Sequence, residues 1–149
     1  MTSGVPRATS VDDALEFIGA HSHVYLLGRR PDGYPTGWAM TARARDDAVD
    51  FSTYRASAKV RYLAATGVAS VLAMSEGDAD RRVLLAEGPV SVLDAAVWFD
   101  DGAAPESRSD ASRTVPSEVV DKVASRHESG KRCVLRVSIE QASFSERLV

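Results

Sequence analysis

Between His23 and Thr53 the chain passes through three strand-like runs joined by turns too short for a crossover, and this excludes most architectures. Residues 23–29, HVYLLGR, are apolar on both alternating faces, which suits a strand covered on two sides. The turn PDGYP follows, with Pro31 and Gly33 favouring a tight reversal. Residues 36–43 return as a second strand carrying Trp38 and Met40. A turn around Asp46 and Asp47 then leads to a third strand, in which Val49, Phe51 and Thr53 alternate. Parallel neighbours need a connection of a dozen or more residues, so these three strands form an antiparallel meander. A doubly wound parallel sheet is excluded.

Three further runs complete the sheet. Residues 68–74 read as a strand, and a polar turn over 76–80 hands over to a long strand at 82–93. Gly88-Pro89 interrupts that strand, which predicts a bulge or an edge, because proline cannot donate to the ladder. In the last strand, 132–140, Cys133, Leu135, Val137 and Ile139 point one way, while Arg132, Val134, Arg136, Ser138 and Glu140 point the other. The first face is expected in the core and the second mostly wet or interfacial. Six strands with helices at the margins predict a small six-stranded antiparallel β-barrel, mainly β with α elements added.

Residues 1–9 lack periodicity and are expected to be a mobile arm. Ser10 with Asp13 marks a helix start, with Val11, Leu15 and Ile18 on one face. Residues 100–113, rich in Asp, Ser, Ala and Pro, read as an exposed loop. Residues 116–128 place Val119, Val120, Val123 and Ala124 on one side of a docked surface helix. At 149 residues the chain is one domain by length, residues 1–149.

The change of period after the third strand carries the functional signal. In FSTYRASAKVRYLAATG, residues 51–67, strand alternation gives way at Ser57 to helical spacing of Val60, Leu63 and Ala64, with Gly67 a helix stop. Ser57 then stands at an N-cap and Lys59 in the first turn. The leading amides of a helix lack internal partners and carry roughly +0.5 charge, so they suit an anion. Ser57, Lys59 and the guanidiniums of Arg55 and Arg61 together describe a phosphate cradle. The plainer reading is an ordinary cap followed by a solvated basic face.

Other chemistries find little support. A formal charge of −3 argues against a nucleic-acid surface. One cysteine, Cys133, precludes an internal disulfide framework, and it alternates with core residues, as a buried small hydrophobe does. The N-terminus has no apolar core of signal-peptide length, and no apolar run nears the roughly 20 residues that cross a bilayer; a cytoplasmic protein is expected, with no membrane partner. His21 and His23 form an HxH pair with no third ligand, better read as a helix-end and a strand-start histidine. There is no GxGxxG after a strand, no Walker-type loop and no GxSxG elbow. No catalytic side chain and no metal ligand is assigned. A hydride-transferring cofactor brings its own reactive atom, so an enzyme of that kind looks catalytically empty in sequence.

The spacing of Thr53, Ser57 and Lys59 after an aromatic strand resembles the cofactor-phosphate motif of the pyridoxamine 5′-phosphate oxidase-like split β-barrels, a superfamily of oxidoreductases using FMN or the deazaflavin coenzyme F420. RVLLAEG, residues 82–88, and PDGYP resemble its following strand and first hairpin, so the likeness runs loosely from His23 to Leu93. The resemblance implies that Thr53, Ser57 and Lys59 hold phosphate and that Thr36, Gly37 and Trp38 lie on the strand passing the ring, where Gly37 permits close approach. Trp38, Tyr54 and Trp98 would line the ring or substrate space. It further implies a homodimer acting on a small-molecule substrate. Ala58 stands where the FMN enzymes carry an arginine, which favours F420 over FMN. The family's C-terminal arginine and histidine signature is not evident, which argues against vitamin B6 oxidation. The alternative function is a non-catalytic carrier or sensor of a flavin, F420 or haem.

Overall fold

The computed structural model describes residues 5–21, 23–77, 79–99 and 130–147. Among these are nine strands, all paired antiparallel: β1 (Arg7–Ala8), β2 (His23–Arg29), β3 (Pro35–Thr41), β4 (Arg43–Ala44), β5 (Ala48–Tyr54), β6 (Val68–Met74), β7 (Arg82–Asp94), β8 (Arg132–Ser138) and β9 (Gln141–Glu146). Helix α1 (Val11–Ala20) precedes β2, α2 (Ala58–Thr66) joins β5 to β6, and a 3-10 helix (Ala95–Phe99) follows β7. The sheet runs β3-β2-β6-β7-β8-β5-β4, with β9 alongside β7 and β1 on β9. The six expected strands are all present, in a curled sheet that forms a split β-barrel with helices at its margin.

The bend that splits the barrel lies at Gly88-Pro89. Before it, β7 pairs with β9 through Arg82↔Glu146 to Glu87↔Gln141; after it, β7 pairs with β8 through Val90↔Val137 to Asp94↔Cys133. Three residues, Ser138, Ile139 and Glu140, lie opposite two, Gly88 and Pro89. That extra residue is a β-bulge, and it lets two long paired strands fold over together. The Glu140 N–H closes the corner on the Glu87 carbonyl at 2.9 Å. What reads in sequence as one strand ending near Glu140 is thus β8, a kink, and β9.

Two more expectations are revised by long-range pairing. Part of the N-terminal arm is ordered: Arg7 pairs with Phe144 and Ala8 with Ser143, and the Thr9 N–H donates to the Ala142 carbonyl at 2.9 Å. The free edge of β9 supplies partners that no local pattern announces. The second face of β8 is not wet either, since Val134 is fully buried and Arg136 reaches the buried Asp50. The 3-10 helix packs against β5 and β8, and the Val97 and Trp98 carbonyls accept from Arg45 and Arg43. The expected 100–113 loop and 116–128 helix fall outside the described residues.

The core inside the curl gathers Phe51, Ile18, Leu26, Leu63, Leu84 and Leu135, all fully buried. Each such side chain contributes about 1.5–3 kcal/mol relative to exposure. Helix α1 closes one end of the core with Ala14, Leu15, Phe17 and Ile18. The other helix lays Val60 and Leu63 against it, and Leu63 fills the space that a side chain at Gly28 would occupy, 2.5 Å from where its Cβ would lie.

Candidate functional site

Strand β5 ends at Tyr54, and the Ser57 N–H donates to the Tyr54 carbonyl at 3.0 Å, so the chain turns tightly into α2. Ser57 has extended backbone, φ −71° and ψ 156°, as an N-cap requires. The helix stops at Gly67, whose φ of 76° lets its N–H reach the Leu63 carbonyl at 2.8 Å. Sequence spacing therefore places this helix correctly at both ends.

The Ser57 hydroxyl does not cap the helix it begins. It makes no bond to the α2 amides, and Oγ is buried with no hydrogen-bond partner among the described residues. A buried unpaired hydroxyl costs free energy, so its retention points to a use. Lys59 follows in the first turn, half-buried, and no carboxylate pairs with it among the described residues. No acidic residue stands in that first turn, so the amide dipole at this end is left without a negative partner from the helix itself. Donors without acceptors and a lone ammonium suit an anion.

The other expected residues are distributed unevenly. The Arg61 guanidinium folds back on the turn, its Nη1 donating to the Ala56 carbonyl at 3.1 Å. Arg55 leans across to the start of β8: its N–H donates to the Lys131 carbonyl at 2.8 Å and its Nε to the Gly130 carbonyl at 3.4 Å. Thr53 is buried on the face of β5 that also carries Phe51, whereas Tyr54 is exposed on the opposite face. Trp38 reaches α2 from β3, its ring centroid 6.4 Å from that of Tyr62. Thr36 and Gly37 stay on the edge strand β3, one strand beyond the β2 that α2 packs on. A side chain at Gly37 would come within 2.7 Å of Leu27 Cδ2. Trp98 stacks instead under Arg43, 5.0 Å from Cζ to the ring centroid.

One contributor escapes sequence reading. Arg132 lies on the strand paired with β5, where its Nε donates to Ser52 Oγ at 3.2 Å and its Nη2 to the Ser52 carbonyl at 3.1 Å. Its guanidinium lies 4.6 Å from the centroid of the Tyr54 ring. The only signal that would find it is the register Tyr54↔Arg132, which brings together residues far apart in sequence. His21 ends α1 and His23 starts β2, while burial pushes the Cys133 thiol upward and keeps it protonated inside the core.

Two clefts open on the outer face of the sheet. The first, about 610 Å3, runs from Leu27 and Arg29 across Ser70 to Glu87 and Gln141; the second, about 510 Å3, lies between His23, Thr41, Ser75 and Arg147. Neither is lined by Ser57, Lys59 or Trp38. Between them an apolar row crosses the sheet through Tyr25, Leu72 and Leu85, set side by side by strand register. Among the described residues no helix is long and apolar enough to cross a membrane.

No family model matches this chain, and no curated protein matches it. Among solved structures it is similar to an F420 reductase, at 16% identity over 89% of this chain and 95% of that one, with a TM-score of 0.59. It is similar to an FAD-binding protein from Mesorhizobium loti at 18% identity, over 97% and 99% of the two chains, with a TM-score of 0.64. A pyridoxamine 5′-phosphate oxidase-related FMN-binding protein from Nostoc punctiforme shares 16% identity over 91% of this chain and 81% of that one, with a TM-score of 0.57. The chain shares the split-barrel fold of these three proteins.

Proposed function

We propose that this chain is an oxidoreductase that binds coenzyme F420, with FMN the alternative cofactor, and reduces a small organic molecule. The observation that carries this reading is the Ser57 hydroxyl: buried, unused by its own helix, and two residues from a lysine with no carboxylate partner among the described residues. The proteins that share the fold include some whose names state F420, FAD or FMN, ligands that all carry phosphate. Ser57, Lys59 and the leading amides of α2 would hold that phosphate, with Arg55 and Arg61 adding positive charge around the turn. Thr53 fixes the end of the strand from inside, and Tyr54, braced by Arg132, closes one side. Trp38 presents a flat apolar surface beside the helix, with Thr36 and Gly37 on the same strand toward the ring. When bound, the cofactor supplies hydride transfer, and the protein's part is binding, orientation and exclusion of water.

The active form in this reading is a homodimer, and the protein works in the cytoplasm. An apolar row on the open face of a sheet suits a second sheet packed against it. A site completed by a second copy also accounts for motif residues that line neither of these two clefts.

Titrating purified protein with F420 while following tryptophan fluorescence tests the proposal. Saturable quenching is expected, and Lys59→Ala should weaken it about tenfold to a hundredfold, the equivalent of about 1.5–3 kcal/mol for one charge-assisted contact. Failure to bind both F420 and FMN would refute it. Turnover with a panel of electron acceptors separates an enzyme from a carrier, which binds and reduces nothing. Dimerisation has its own readout: Leu72→Glu should convert a dimer to a monomer in light scattering.

A further inference from the structure

We propose that the second cleft, about 510 Å3 in volume, binds a small organic oxyanion, a carboxylate or a phosphate monoester, through the guanidinium of Arg147. The residue is anchored at its backbone: its N–H donates to the Arg81 carbonyl at 2.8 Å, and its own carbonyl accepts from Arg81 Nη2 at 3.0 Å. From there the side chain crosses to the turn between β6 and β7, where Nη2 donates to the carbonyls of Gly77 and Asp80. Holding that turn uses Nη2 alone. The buried Nε finds no acceptor among the described residues, and no carboxylate there forms an ion pair with Arg147. A guanidinium carries five N–H donors in a planar fork that matches a carboxylate or phosphate; with Nη2 on the turn and Nε sealed from solvent, Nη1 is the donor that remains for an acceptor entering the cleft, and Nε–H reports on it.

The surroundings agree with a small anion bearing an apolar body. Thr41 and His23 add polar groups at the ends of β3 and β2, while Ala39 and Met74 supply an apolar wall. The nearby Asp80 carboxylate is already committed to Arg82, at 2.8 Å, and does not neutralise Arg147. Glu76 lines the same cleft without pairing to Arg147. Its charge opposes an anion, and it sets the affinity below what the arginine alone would give. This site is separate from the α2 cradle and does not depend on it, since neither Ser57 nor Lys59 lines the cleft.

The test uses the full chain labelled with 15N, titrated with inorganic phosphate and separately with malonate, following the Arg147 Nε–H signal and the amides of Thr41 and Glu76. Saturable shifts with either anion support the site, and the tighter of the two identifies phosphate or carboxylate as its natural group. Arg147→Lys should weaken the cleft shifts at least about tenfold while the Ala58 and Lys59 amides respond to phosphate as before. Glu76→Gln, an exposed substitution that leaves the fold intact, should tighten binding severalfold, and it decides the question if Arg147→Lys does not fold. Cleft signals that stay still with both anions overturn the proposal, as does an unchanged affinity in Glu76→Gln. Shifts confined to Ala58 and Lys59 overturn it too, while leaving the cofactor reading standing.

Discussion

Ser10 and Ser57 occupy the same position at the start of their helices with nearly the same backbone, φ −74° and ψ 159° against φ −71° and ψ 156°, yet only Ser10 acts as a cap. Its Oγ accepts from the Asp13 N–H at 3.1 Å, whereas the Ser57 Oγ bonds to nothing among the described residues. Two substitutions turn this contrast into a measurement. Ser10→Ala should lower stability by about 1 kcal/mol, the usual cost of a lost cap. Ser57→Ala removes a buried hydroxyl that has no partner, so urea unfolding should show stability unchanged or raised. The same variant should lose affinity for F420 or FMN. A drop in stability equal to that of Ser10→Ala would mean that Ser57 is only a cap.

Asp50 supports a second prediction. It is fully buried in β5 and held from two directions: Arg45 Nε lies 2.8 Å from Oδ2, and Arg136 places Nε 2.8 Å from Oδ1 and Nη2 2.9 Å from Oδ2. Removing one member of such a cluster leaves uncompensated buried charge, which outweighs the modest net gain of forming the cluster. Asp50→Asn should therefore cost about 3–5 kcal/mol in denaturant unfolding. The exposed Arg30–Asp32 pair at the first hairpin is the control, and Asp32→Asn should leave the midpoint where it is.

How much of this was legible in the sequence depends on the reach of each interaction. The β2–β3 hairpin, the Ser10 cap and the Gly67 stop are local, so period and turn chemistry reveal them; the expected pairing of the second strand with the third is not formed by β3, because β5 lies between β4 and β8. The two-residue strands β1 and β4 are too short to show any period. Asp50 reads as an ordinary strand residue because one of its two partners, Arg136, reaches it only through β5–β8 register. The same register hides Arg132, which sequence alternation assigns to a wet face. Within the candidate site, spacing locates Ser57 and Lys59 at the head of α2, but whether a hydroxyl bonds its own helix is a matter of side-chain direction that composition does not record. The cleft around Arg147 is assembled from β2, β3, β6 and the residue after β9, and no segment of the chain contains its pattern.

Acid sensitivity follows from Asp80. The Arg82 side chain, helped by the Arg82 backbone N–H, holds its carboxyl at about 2, below the ordinary 3.8. Arg82 is itself placed by the rings of Phe17 and Phe144, 5.0 and 4.9 Å from its Cζ. A carboxyl with a depressed folded-state pKa contributes stability that is fully present above its unfolded value and disappears as pH falls through the folded one. The window is thus from about 3.8 down to about 2. A 13C titration should find the Asp80 midpoint near the lower figure and raise it part of the way toward the usual carboxylate range in Arg82→Met, which keeps the backbone N–H bond. An Asp80 midpoint unmoved by that substitution would rule out the arginine as the cause.

The bend at Gly88 gives the sharpest structural test, because two glycines of this chain predict opposite signs. A Cβ added at Gly88 would lie 1.7 Å from the Ser138 carbonyl oxygen and 3.2 Å from the Glu140 nitrogen, both backbone atoms of the bulged strand. Neither can rotate away as a side chain would, so relief requires opening the corner where β7 exchanges β9 for β8. At Gly19, inside α1, an added Cβ meets nothing within 4 Å. Gly19→Ala should therefore stabilise the protein by about 0.5–1 kcal/mol through helix propensity and reduced freedom of the unfolded chain. Gly88→Ala should destabilise it by more than about 3 kcal/mol, in the range of severe overpacking. Hydrogen exchange locates the damage: the Glu140 amide, bonded to the Glu87 carbonyl at 2.9 Å, should lose protection first, while amides of β2 and β3 keep theirs. Equal loss of protection throughout the sheet would show that the corner is not a separable element of the fold.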